Sequence, residues 1–113
     1  MESSIGERLV ELISPIIDVS YMQAEVDKFP YCAYDIESEA PLRDKHKIYG
    51  SKAEVSIYVV ATTESKASEI CNRIKKKLTR GPQWDFVLET TSASTDSEHW
   101  AYRMEYTIKQ IFE

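Results

Sequence analysis

Cys71 and the two histidines, His46 and His99, are the residues from which a nucleophilic site could be drawn, with a thiolate activated by an imidazole within hydrogen-bonding reach. The neighbours of Cys71 argue against that use. Ile70 and Ile74 flank it in a run of helical spacing, so the thiol packs as a small hydrophobe, and Cys32 reads in the same way. Asp35 and Glu37 stand two apart in a strand-like run, which turns both carboxylates to one face where they could share a hard cation. A strand-borne carboxylate nuclease would need a further acid on the partner strand, followed two residues later by a lysine. Glu54-Val55-Ser56 does not supply it, so a solvated strand face outweighs a metal site. Asp96, Glu98 and His99 make a similar small cluster, read as an exposed turn. No catalytic residue, metal ligand or cofactor is therefore assigned.

Arg73, Lys75, Lys76, Lys77 and Arg80 form the one basic concentration. Their place at the end of a helix suits the negative end of its dipole, and no aromatic residue is interleaved to stack on bases. Gly6, Gly50 and Gly81 stand apart, so no glycine loop cradles phosphate. The whole chain has 14 Lys and Arg against 19 Asp and Glu, a net charge of -5, which is the wrong sign for a surface that grips nucleic acid. No stretch approaches the roughly 20 apolar residues of a membrane span, and the reading is a soluble protein made in a cytoplasm.

These side chains need elements to hold them. At 113 residues the chain is read as a single domain, residues 1–113, against roughly 100–200 residues for a usual domain. Ser4 and Glu7 have the spacing of a capping box, and Ile5, Leu9, Leu12, Ile13 and Ile16 recur at helical steps until Pro15 interferes. A strand is expected over residues 31–37, followed by a loop, or the exposed tip of a long hairpin, over 38–47. Ala53, Val55, Ile57, Val59 and Ala61 alternate with more polar neighbours and give the clearest strand. Thr62, Thr63 and Ser65 can cap a second helix carrying Ala67, Ile70, Cys71, Ile74 and Leu78, with Gly81 in a left-handed closing position and Pro82 beyond it. Trp84, Phe86 and Leu88 start another strand, residues 90–97 read as a polar turn, and a last strand carries Trp100, Tyr102, Met104, Tyr106 and Ile108 on one face. The order helix, strand, strand, helix, strand, strand predicts an α+β domain: a mainly antiparallel sheet of four to five strands with two helices packed on one face.

Seven tyrosines and two tryptophans crowd the strands. Most serve packing, yet alternation sets Tyr34, Tyr58 and Val60 opposite the apolar rows of their strands, and exposed aromatic sheet surface marks subunit interfaces. A partner-ready sheet without a catalytic constellation points to assembly.

The arrangement resembles a family of small tail-completion proteins of tailed bacteriophages and prophages, the tail terminator and head-tail joining group. The likeness is carried by the N-terminal helix, Phe29-Pro30-Tyr31, Tyr49 with Val55-Ser56-Ile57-Tyr58-Val59, the helix with Ala67, Ile70, Ile74 and Leu78, and Tyr102-Arg103-Met104-Glu105-Tyr106-Thr107-Ile108. The resemblance implies a non-enzymatic virion component, assembled in the host bacterial cytoplasm, that forms a homo-oligomeric ring of six subunits at the end of the tail tube. Its partners would be tail-tube and head-completion proteins, with no cofactor, no membrane and no specific nucleic-acid binding. Exposed segments between rigid strands are the first candidates for contacts to neighbours: Glu39, Arg43, Asp44, Lys45, His46 and Lys47 in one, Asp96, Glu98 and His99 in the other, with Tyr58 on the sheet. The rival reading is a small ligand-binding or regulatory α+β domain that could dimerise, and the carboxylate nuclease is the third.

Overall fold

Ile5, Leu9 and Ile13, spaced four apart, form the buried stripe of α1 (Ile5–Ile13) in the computed structural model, which describes residues 5–21, 29–96 and 98–112. Ser4, half of the expected capping box, lies outside the described residues, as does Ser97 of the expected polar turn. Pro15 closes α1 as anticipated, and the amides of Ile16 and Ile17 both turn back to the Ile13 carbonyl at 2.8 and 3.1 Å.

The chain then enters β1 (Val19–Tyr21), which pairs in parallel with the start of β2 (Tyr31–Arg43) through Val19 and Cys32. This short strand is absent from the expected order, because three residues are too few to carry a period. β2 runs antiparallel to β3 (Ile48–Ala61), and α2 (Glu64–Lys77) then crosses one face of the sheet. β4 (Trp84–Thr95) and β5 (Trp100–Ile111) complete it as a hairpin, β5 pairing with both β3 and β4. The sheet order is β1-β2-β3-β5-β4, mostly antiparallel, with both helices on one face, so the fold is α+β.

Thr63 caps α2, its hydroxyl accepting the Lys66 amide proton at 3.2 Å. Ala67, Ile70, Cys71, Ile74 and Leu78 then face the sheet and meet Val55, Ile57, Val59, Met104 and Ile108, each of these five 1% exposed or less. The helix does not close on Gly81, and no described glycine has a positive φ. It ends at Leu78, whose buried side chain finishes the stripe, while Gly81 exchanges backbone hydrogen bonds with Trp84 in the turn that starts β4.

Three further expectations are corrected. Residues 38–43 are strand and not loop: β2 continues to Arg43 opposite Ile48, leaving only 44–47 as the tip of a long hairpin. Residues 90–95 are strand as well, since β4 passes through a bulge at Glu89 and stays paired with β5 to Thr95. Tyr34 is 8% exposed, because it shares the row of Cys32 and Ile36 and is covered by α1, where Gly6 lies against its phenol. The polar composition misled in the first two cases: a strand paired beyond the helix-covered core has no apolar row to show.

The two hairpins point in opposite directions along the sheet and extend it to 54 × 23 × 23 Å. Among the described residues no helix is long and apolar enough to cross a membrane.

Candidate assembly interface

The face of the sheet away from the helices is built from the second row of each strand. Its centre is Ser56, fully buried between β2 and β5. The Ser56 hydroxyl donates to Glu37 Oε1 at 3.0 Å and accepts from Arg103 Nε and Nη2 at 3.3 and 3.2 Å. Arg103 Nη2 also reaches Glu37 Oε1 at 2.8 Å and Glu105 Oε1 at 3.0 Å, and its guanidinium lies 5.7 Å from the ring centre of Tyr58. Thr90 donates to Glu105 Oε2 at 2.7 Å and so ties β4 to the same network. Glu37 is the bulged residue of β2, which brings its carboxylate over Ser56. An open groove of about 410 Å3 runs beside these groups, lined by Glu37, Glu54, Glu89 and Glu105 with Thr107.

Of the pair Asp35 and Glu37, Glu37 is held by Arg103 and Ser56 through its Oε1. Among the described residues no three His, Cys, Asp or Glu side chains gather to hold a metal ion. Cys71 is buried against the sheet, and burial pushes its thiol up to about 11, with Lys75 opposing the shift. Burial likewise pushes Cys32 up to about 12, with a smaller contribution from Cys71. Such thiols stay protonated near neutral pH and have no imidazole beside them, since His46 and His99 sit in the two turns at opposite ends of the sheet.

The residues expected to touch neighbours fall in three places. Glu39 and Arg43 stand exposed on the projecting part of β2, and Asp44, Lys45, His46 and Lys47 form the tip. That tip is ordered by its own bonds: the Asp44 amide donates to the Lys47 carbonyl at 3.0 Å, and the Asp44 carboxylate accepts the His46 amide proton at 3.0 Å. Tyr58 lies half-buried mid-sheet under Arg103. Asp96, Glu98 and His99 sit at the other end, where Asp96 Oδ1 accepts the amide protons of Glu98 and His99, both at 2.8 Å. Those two backbone bonds hold the Asp96 carboxyl below the usual carboxylate range.

The His99 ring stacks on Phe29 with centroids 4.2 Å apart, and Tyr31 adjoins Phe29 at 5.5 Å. An open groove of about 450 Å3 lies there, walled by Phe29, Tyr31, Val60, Asp96 and His99. Neither this stack nor the Glu37-Ser56-Arg103 network was anticipated. Phe29 and His99 are 70 residues apart, and Glu37 and Arg103 are 66 apart. The one local sign was Ser56, a small polar residue between Val55 and Ile57 in the most apolar strand.

No protein-family model matches the sequence, and no curated protein matches it. Thirty-one chains of solved structures do match by fold. One is a chain of the structure described as "Virion of native gene transfer agent (GTA) particle", with a TM-score of 0.63 and 14% sequence identity, over 91% of this chain and 84% of that one. At that identity the likeness establishes a shared fold over nearly the whole of both chains.

Proposed function

We propose that this protein is a structural component of a phage-like virion, a ring-forming subunit that ends the tail tube and joins tail to head. The observation that carries this reading is the likeness of nearly the whole chain to a chain of a gene transfer agent virion. The site is consistent with it. On the open sheet face Glu37, Ser56, Arg103 and Glu105 are spent on one another, and the buried thiols lack an activating base. What remains outward-facing is surface: two projecting hairpins, a long sheet edge and scattered exposed apolar side chains such as Tyr21, Ile48 and Val87. A closed ring would cover sheet edges that a free subunit leaves open. The glutamates lining the open groove would give such a ring an acidic surface past which DNA could move without adhering.

Removing the coding sequence from a genome that produces the particle tests the role. Electron microscopy should then show headless tail tubes of uncontrolled length, restored to one length and joined to heads by complementation. Tails of normal length attached to heads in the deletion would refute the proposal.

A further inference from the structure

We infer that copies of this chain join head to tail, the tip of the β2–β3 hairpin of one copy seating against the outer edge of β4 and the β4–β5 turn of the next. This rests on the ring reading above and names the two surfaces that would build the ring.

The two surfaces carry opposite charge. From Arg43 to Lys47 the tip holds three cations, Arg43, Lys45 and Lys47, against one acid, Asp44, whose carboxylate is occupied by the His46 amide. From Gly81 to Tyr102 the chain has four acids, Asp85, Glu89, Asp96 and Glu98, and no Lys or Arg. Each surface is exposed: residues 43–49 throughout, and β4 from Val87 to Thr95 throughout. Apolar side chains accompany both, with Ile48 46% exposed behind the tip and Val87 43% exposed on β4.

The backbone points the same way. β4 is the last strand of the sheet, so its outer amides and carbonyls from Val87 to Thr95 have no strand partner among the described residues. Edge strands are ordinarily guarded against pairing by proline, lysine, inward-turned charge or a short length. The free outer edge of β2 is guarded in this way, by the Glu37 bulge, Glu39 and Pro41, and β1 has only three residues. β4 has twelve residues, no proline, no lysine and a single bulge at Glu89. Among the described residues, its edge is the one left fit to receive another strand.

The placement leaves two symmetries open to the contact. β3 spans 14 residues between the two ends, roughly 46 Å at about 3.3 Å per residue. A cationic tip and an acidic edge at opposite ends of one long molecule can pair twice within an antiparallel two-fold dimer or engage two different neighbours, and the ring reading takes the second arrangement. Each copy would use its tip on one neighbour and its edge on another, which is the heterologous contact that generates rings or open filaments.

Disulfide trapping tests this, because the native thiols are buried and inert. Lys45→Cys and Glu98→Cys chains, mixed in equal amounts and oxidised, should give mixed dimers well above the statistical half of all dimers, and adding Glu89→Lys to the Glu98→Cys chain should cut that excess. A statistical mixture, or dimers formed mainly within either variant alone, would overturn the contact. A chain carrying both cysteines separates this inference from the ring reading. A single closed species larger than a dimer supports both, whereas a closed dimer or an open ladder keeps the contact and sinks the ring. Rings seen by microscopy without the mixed dimer keep the ring and sink the contact.

Discussion

Arg103 is the residue on which most of the open face depends. It satisfies two carboxylates and a buried hydroxyl at once, and a planar guanidinium has the donors to do so where an ammonium has not. Because its side chain is 41% exposed, solvent screens much of the ion pairing. Arg103→Ala is expected to cost about 1 kcal/mol in urea unfolding, and Arg103→Lys to recover less than half of that. The buried acids give a second prediction. The thiols of Cys32 and Cys71, ordinarily near 9.0, and the phenol of Tyr106, ordinarily near 10.0, are pushed up to about 12, 11 and 12, by burial above all. Each keeps its proton in the folded chain at a pH where the unfolded chain has lost it. Their contribution is thus complete below pH 9 and is lost as the pH climbs from 9 toward 12. Tm should hold steady from pH 7 to 9 and fall steadily above it in calorimetry; a Tm unchanged to pH 11 would contradict the burial of these groups.

Strands and helices with an apolar row were legible in the sequence, because a row facing the core repeats with the period of its backbone. The alternation from Ala53 to Ala61 and the stripe from Ala67 to Leu78 both report contact with the same core. Where β2 and β4 run past the helices they keep their pairing and lose that row, so Ser38-Glu39-Ala40 and Thr91-Ser92-Ala93 read as turns. The candidate contact residues could be named from polarity alone, but their separation to two ends of the molecule needed the register. Gly50 is a related case: it reads as an isolated glycine, yet β3 and β5 approach so closely there that a Cβ would run into the Gln110 carbonyl. Backbone cannot yield as a side chain tip can, so Gly50→Ala should lower the unfolding free energy by about 1–3 kcal/mol in equilibrium denaturation. A neutral result would mean that the two strands part easily at this end.

Across the 54 Å length of the molecule the covered core occupies the middle and the two hairpins carry the sheet beyond it in opposite directions. A longer, thinner shape than a core alone requires exposes more edge and more uncovered face, which suits a subunit that is completed by its neighbours. Net charge of -5 keeps free copies apart at low salt, while in the proposed contact the cationic tip and acidic edge would orient approaching copies. The most direct measurement is sedimentation velocity of the purified chain across a range of concentrations. The account predicts a shift from the 13.0 kDa monomer to one discrete annular species, without a stable dimer between them. A boundary that stays at monomer, or stops at a two-fold dimer, up to the highest attainable concentration would contradict it.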